Sequence, residues 1–94
     1  TTLLNMATVN FKREKYNRAI SILERILVIH PNHGNMLAHR LLLARSYVMK
    51  GDLGSGMKNV DIAIKLDSKS KQVIISDPVF KKLQGLEGFQ NLMN

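Results

Sequence analysis

The sequence repeats itself at a spacing of 37 residues, and this repeat constrains the fold more than any other feature. Residues 16–29 carry apolar side chains at the spacing that places them on one side of an α-helix, and residues 53–66 carry them at the same spacing. A repeat of this length indicates stacked supersecondary units, none of which can bury its apolar face alone. The aligned pairs are Met6/Leu43, Ala7/Ala44, Tyr16/Leu53, Ala19/Gly56, Ile20/Met57, Leu23/Val60, Ile26/Ala63, Leu27/Ile64 and Pro31/Ser68.

Residues that break helices divide the repeated region into four predicted helices. Polar residues 12–15 and the pair Gly51-Asp52 fall at equivalent turns, and the segment PNHGN separates the two copies. We therefore predict helices over about residues 1–12, 16–29, 36–49 and 53–66, with Asn35 as the N-cap of the third. The third helix is apolar nearly all round, which indicates a central position with neighbours on several sides.

Residues 69–94 do not continue the repeat. Val73-Ile74-Ile75 is an apolar run too short to assign from its period, and we predict a helix because a strand would have no partner here. Asp77-Pro78 is typical of an N-cap followed by proline in the first helical turn. A last short helix is predicted near Phe89 and Leu92. We expect this segment to cover the exposed face of the second copy.

The repeated unit resembles the tetratricopeptide repeat, a helix-turn-helix of about 34 residues. The copies differ from that family in their spacing, which is three residues longer, and we place the excess at residues 34–36. The positions that carry the resemblance are a small residue in each first helix (Ala7, Ala44), a bulky residue after each turn (Tyr16, Leu53), a small residue early in each second helix (Ala19, Gly56) and Pro31-Asn32. The positions that depart from the family pattern are Leu3, Asn10, Ile26, Arg40 and Ser68.

The resemblance implies an all-α fold in which antiparallel helix-turn-helix repeats stack as a right-handed α-solenoid. Residues 1–33 would form the first repeat and residues 34–68 the second, and residues 69–94 would form a helical C-terminal cap. The tail resembles the ending that follows such arrays in many bacterial proteins, and the chain does not begin with Met. We therefore expect it to be the C-terminal piece of a longer protein.

The resemblance also implies a function: a non-catalytic scaffold that binds a peptide or protein partner through a concave groove lined by the first helix of each repeat. Two cations among apolar groove residues favour an acidic partner with an apolar anchor, and exposed repeat faces favour a homo-oligomer. The carboxylate clamp known in this family is not predicted, because its positions hold Leu4, Thr8 and Leu42. The groove positions carried over are Asn5, Thr8, Lys12, Ala38, Leu42, Arg45 and Met49.

The net charge of +7 leaves two other functions open. Residues 1–50 hold 8 Lys and Arg against 2 acidic residues, whereas residues 51–94 hold 6 against 5, so the first half favours acidic partners. The alternatives are a basic nucleic-acid-binding domain, or an accessory domain of a larger multidomain protein whose activity lies outside these residues. The small number of basic residues on the second helix and the lack of exposed aromatic residues argue against nucleic acid.

The sequence carries no pattern that points to catalysis, a cofactor or a metal. It has no cysteine, and its three histidines lie around a proline turn and on the next helix without a matching group of acidic residues. The glycines near residue 54 follow no strand and precede no phosphate-loop lysine. No run of about 18 apolar residues and no signal peptide is present. We therefore predict a protein that is not an enzyme, has no membrane span and is cytoplasmic.

Overall fold

Six α-helices and one 3₁₀ helix form the regular structure of the computed structural model, which describes residues 3–94 in full and residue 2 by its backbone. Residues 2–94 contain no strand, so the predicted all-α fold is confirmed. The first residue of the helix predicted over 1–12 lies outside the described residues. The helices are α1 (Thr2–Lys12), α2 (Tyr16–Ile29), α3 (Met36–Lys50), α4 (Leu53–Leu66), α5 (Ser70–Ser76), the 3₁₀ helix (Pro78–Leu83) and α6 (Glu87–Met93).

Short turns join α1 to α2 and α3 to α4, so that each pair of helices is antiparallel. Gly51 ends α3 in the left-handed region with φ of 101°, and its N–H donates to the carbonyls of Tyr47 and Val48. The Asp52 carboxylate then accepts from the Ser55 N–H at 3.2 Å and caps α4. The hydrogen bonds from the Ser55 backbone and side chain hold the pKa of Asp52 below its usual value. The turn predicted at Gly51-Asp52 is confirmed.

The start of α3 differs from the sequence prediction in one detail. Asn35 occupies the N-cap position, but its side chain makes no capping hydrogen bond, so its predicted capping role is wrong. Its backbone N–H instead donates to Nδ1 of His33 at 3.1 Å. The α2–α3 connection is therefore fixed by an imidazole ring rather than by the asparagine side chain.

The helix α3 lies between two apolar clusters, which confirms its predicted central position. Its residues Leu42 and Leu43 join a cluster with α1 and α2, whereas Ala44 and Val48 join a cluster with α4 and the C-terminal segment. Successive residues on α3 thus point into cores on opposite sides, which explains why the helix is apolar nearly all round. The first cluster contains Ala7, Ile20, Leu23, Leu42 and Leu43, and the second contains Ala44, Val48, Val60, Ile74, Phe80, Leu83 and Phe89.

The C-terminal segment packs onto α3 and α4 through the second cluster. Its middle part is a 3₁₀ helix of six residues rather than an α-helix, which is longer than most 3₁₀ runs. The predicted N-cap at Asp77 is confirmed, because the Asp77 carboxylate accepts from the Val79 N–H at 3.0 Å and Pro78 follows in the first turn. Full burial of Phe80 and Leu83 stabilises the fold by about 1.5–3 kcal/mol each.

Gly56 allows α4 to approach α3 closely. A Cβ atom at this position would lie 2.6 Å from Cγ2 of Val48, whose side chain is fully buried. The glycine that the repeat aligns with Ala19 therefore serves packing between the two helices. Its place on α4 also fixes the position of α3, which carries the charged residue of the site described next.

Candidate functional site

A surface concavity of about 680 Å³ lies between the end of α1, the middle of α3 and the C-terminal segment, and we call it the groove. These three elements are distant in sequence, and they meet there because α3 packs against both α1 and the 3₁₀ helix. Its wall is mostly apolar, with one cation and one carboxylate. The groove is lined by Phe11, Arg45, Gln72, Val73, Ser76, Asp77, Pro78 and Val79.

The charged pair Arg45–Asp77 forms the polar end of the groove. Nε of Arg45 donates to Oδ2 of Asp77 at 2.6 Å, while Oδ1 of Asp77 accepts from the Val79 N–H. The Asp77 side chain is 11% exposed and the Arg45 side chain 35% exposed, so the carboxylate is held inside and the guanidinium reaches the surface. Neither terminal nitrogen of Arg45 bonds to another described residue. These nitrogens can donate two parallel hydrogen bonds to an external carboxylate.

An aromatic ring and two valines form the apolar wall beside this cation. The Phe11 ring packs edge-to-face against Tyr16, with centroids 5.5 Å apart, so α1 and α2 together hold its orientation. Val73 is 48% exposed on α5 and Val79 is half-buried on the 3₁₀ helix. An apolar side chain placed against these residues would lie next to the guanidinium.

Among the seven groove residues predicted from sequence, Arg45 is the one that lines this concavity. Leu42 is 8% exposed and belongs to the apolar cluster with α1 and α2. Thr8 is half-buried and its hydroxyl donates to the Leu4 carbonyl at 3.0 Å. The remaining predicted residues lie on the surface or at half-buried positions: Asn5, Lys12 and Ala38 are exposed, and Met49 is half-buried.

The sequence prediction did not include the C-terminal residues of the groove. Val73, Asp77 and Val79 lie outside the repeat, so no alignment between the two copies could place them near α3. The pair Asp77-Pro78 was recognised as a helix cap, which is a local feature. The local pattern did not reveal that the second carboxylate oxygen of Asp77 holds Arg45, because this contact spans 32 residues.

Two of the three histidines, the half-buried His33 and the buried His39, form a pair that the sequence analysis did not predict, whereas His30 is exposed. Nε2 of His33 lies 2.7 Å from Nδ1 of His39, and the rings are stacked. Because Nδ1 of His33 accepts from the Asn35 N–H, its proton is on Nε2 and is donated to His39. His39 must then carry its own proton on Nε2, which is buried near the Leu23 backbone but lies outside good hydrogen-bond geometry with any acceptor among the described residues.

The surroundings of His39 oppose its charged form. Burial lowers the pKa of His39 from 6.5 to about 4; the backbone of Leu23 opposes this change, while His33 and Arg40 lower the pKa further. His39 is therefore neutral at neutral pH. The described residues contain no group of three or more His, Asp and Glu side chains arranged to hold a metal ion.

Cations gather at a second concavity, of about 370 Å³, where the α1–α2 turn meets the end of α3. Lys15 and Arg18 come from the start of α2 and Lys50 from the end of α3, with Glu14 as the single carboxylate in the lining. Tyr16 also lines this surface, but its ring is packed against Phe11 and is half-buried. The cations favour anionic partners, whereas the ring is not a free platform for base stacking.

None of the helices in the described part of the chain combines the length and the apolar character that crossing a bilayer would need. Comparison of the chain with known proteins gave no match to a family model, to a curated protein or to a solved structure.

Proposed function

We propose that this domain is a non-catalytic scaffold that binds an acidic peptide, carrying an apolar anchor, in the groove between α1, α3 and the C-terminal segment. In this proposal α1–α2 and α3–α4 are two tetratricopeptide-like repeats stacked as a solenoid, and α5 to α6 form its cap. The observation that carries the proposal is the position of Arg45, whose terminal nitrogens bond to no other described residue and lie beside an apolar wall. A carboxylate of the peptide bound to Arg45 and an apolar side chain of the peptide packed on Phe11 and Val73 would occupy the groove together.

The Arg45–Asp77 pair prepares the groove for such a ligand. Asp77 is anchored by the Val79 N–H, so it fixes the guanidinium without occupying its terminal nitrogens. A fixed guanidinium loses less conformational entropy when a carboxylate binds. The ion pair is therefore a positioning contact as well as a link between α3 and the 3₁₀ helix.

Selection of peptides from a random display library of about 12 residues tests the proposal. We expect selected peptides to share an acidic residue close to an aliphatic or aromatic one. Simple charge reversal of Arg45 is a poor variant, because it would place a second carboxylate beside Asp77 and weaken the fold. The double substitution Arg45→Gln with Asp77→Asn removes both charges and keeps an oxygen that can accept from Val79.

The double variant should lose at least about tenfold in affinity for a selected peptide, since a charge-assisted bidentate contact disappears. Lys58→Gln is the matched control, because Lys58 is an exposed cation on α4 outside the groove. Equal affinity of the wild type and the double variant, with both folded by circular dichroism, would exclude the groove as the binding site. Failure of the library to yield any binder would count against the scaffold function itself.

A further inference from the structure

The α2–α3 connection, residues 30–35, is tied to α3 by a chain of hydrogen bonds that runs through two imidazole rings. The Asn35 N–H donates to Nδ1 of His33 at 3.1 Å, and Nε2 of His33 lies 2.7 Å from Nδ1 of His39. His39 is fully buried near the start of α3, and its ring stacks on that of His33 with centroids 5.0 Å apart. The connection is therefore attached to a buried side chain of α3.

This pair of rings has no vacant lone pair that could take up a proton. In a neutral imidazole one nitrogen carries a proton and the other accepts a hydrogen bond. The accepting nitrogen of His33 is Nδ1, which receives the Asn35 N–H, and the accepting nitrogen of His39 is Nδ1, which receives the proton of His33. A proton added to either ring must therefore take the place of an existing hydrogen-bond donor.

A change of tautomer at His33 does not accommodate the extra proton. Protonated His39 would present an N–H to His33, so Nε2 of His33 would have to accept and its own proton would have to move to Nδ1. That proton would point at the Asn35 N–H, and the bond between Asn35 and His33 would be lost. If His33 kept its tautomer, its bond to His39 would be lost instead. In both cases the connection is no longer tied to α3.

The neighbouring side chains of α3 and α4 supply no negative charge to such a proton. Arg40 follows His39 on α3, and it donates to Oδ1 of Asn59 on α4 at 3.0 Å, so its partner in that bond is neutral. Asp61 lies two residues further along α4, on the other side of that helix, and pairs with Lys65. Arg40 is thus a cation beside His39 and opposes a further positive charge.

The other two helices of this region do not compensate the charge either. α2 presents the backbone of Leu23 to His39, and the next residue, Glu24, is exposed and accepts from the Tyr47 hydroxyl at 3.3 Å. Tyr47 is eight residues beyond His39, or about 12 Å along α3. α1 carries no titratable side chain before Lys12, its last residue. A proton on the pair would therefore stay uncompensated while the connection is in place.

The α2–α3 connection forms one wall of an apolar cavity of about 380 Å³. His33, Gly34 and Asn35 lie on one side of this cavity, and Ile26, at the end of α2, lies on another and is 6% exposed. None of the six described residues of the connection belongs to either of the two apolar clusters. Movement of the connection would therefore open the cavity and leave both clusters packed.

We propose that the α2–α3 connection is an acid-sensitive strap: proton uptake by the His33–His39 pair detaches residues 30–35 from α3 and opens the cavity, while the helices stay folded. This switch does not depend on peptide binding in the groove, whose lining contains no residue of the connection.

Two-dimensional NMR of the isotope-labelled domain, recorded at intervals from about pH 7 to about pH 5, tests the proposal in the range where histidines titrate. We expect the ring signals of His33 and His39 and the amide signal of Asn35 to change together with one midpoint, because one proton disrupts bonds that all three residues share. The amide signals of Val60 and Ala63, which are buried on α4, should not change at that midpoint.

Amide hydrogen exchange measures how often the connection opens. The His39 N–H donates to the Asn35 carbonyl at 2.9 Å, so it reports on the first turn of α3. Burial, aided by His33 and Arg40 and opposed by the Leu23 backbone, lowers the pKa of His39 from 6.5 to about 4. Opening should therefore become about twentyfold more frequent between about pH 7 and about pH 5, after correction for the intrinsic exchange rate. Low concentrations of urea should not accelerate it, since local opening exposes little surface.

Two variants assign the effect to the pair. His33→Ala removes both bonds of the chain, so the Asn35 amide signal should no longer depend on pH, and circular dichroism checks that the helices remain. His30→Gln is the matched control, because His30 is an exposed histidine of the same connection and its loss should leave the behaviour of the wild type intact.

Three results would overturn the proposal. The first is an Asn35 amide signal that changes at a different pH from the two ring signals. The second is loss of the α4 signals at the same midpoint, with exchange of the His39 amide accelerated by urea, because the acid transition would then be global unfolding. The third is an equal response of the Asn35 amide to pH in His33→Ala and the wild type.

Discussion

Acidification should destabilise this domain through His39, well above the pH at which most carboxylates titrate. The folded pKa of His39 is lowered to about 4 from the ordinary value of 6.5, with burial as the largest cause. As pH falls below 6.5, His39 therefore binds a proton in the unfolded chain, whereas in the folded chain it stays neutral until the pH approaches about 4. The stabilisation is complete above pH 6.5 and is lost progressively as pH falls toward about 4.

The magnitude follows from the two pKa values. Between about pH 7 and about pH 5 the linkage relation gives a loss of about 2 kcal/mol in the free energy of unfolding. This is a large part of the total stability of a small domain. Urea unfolding followed by circular dichroism at the two pH values measures the loss, with the midpoint and slope giving the free energy at each pH.

Two variants separate His39 from the other titrating groups. His39→Leu keeps an apolar side chain in the buried site and cannot titrate, so its stability should change much less between the two pH values. His30→Gln is the control, because His30 is exposed and should leave the pH dependence of the wild type intact. If wild type and His39→Leu lost equal stability, the buried neutral imidazole would not be the cause.

The remaining predictions concern packing, a turn and nucleic acid. Gly56→Ala should lower the free energy of unfolding by about 1 kcal/mol in urea, since overpacking against Val48 outweighs the gain in helix propensity. Gly88→Ala meets only the flexible end of Met57, at 2.6 Å, and should leave stability unchanged or higher in the same assay. Gly51→Ala should cost about 1 kcal/mol because its φ of 101° disfavours a side chain. A labelled single-stranded oligonucleotide should show no salt-sensitive micromolar binding by anisotropy at two salt concentrations, and such binding would instead support the nucleic-acid function.

Helix positions were predictable from the sequence because the signals that set them are local. The apolar period of 3.6 residues, together with the helix breakers around Gly51 and Pro31, sets where α2 and α4 lie in the chain. Asp77-Pro78 marks the start of a further helix. The type of that helix was not predictable, because the choice between 3₁₀ and α over six residues depends on how Phe80 and Leu83 reach the core.

The site was predictable only in part, because its residues come from regions with different patterns. Arg45 was predicted because the family resemblance carries a groove position over to it, whereas Asp77 and Val73 lie in a segment that repeats nothing. The histidine pair was missed for the same reason: His33 is in a loop, and its contact with His39 depends on the path of the α2–α3 connection. Such contacts are set by tertiary packing, for which one sequence holds no periodic signal.

The most direct test of the proposed function is to map a selected peptide onto the domain by two-dimensional NMR with an isotope-labelled chain. The scaffold proposal predicts that the largest shift changes fall on Phe11, Arg45, Val73 and Val79, and that they disappear in the Arg45→Gln/Asp77→Asn variant. Shift changes confined to other surfaces, or unchanged by the double substitution, would contradict binding in the groove.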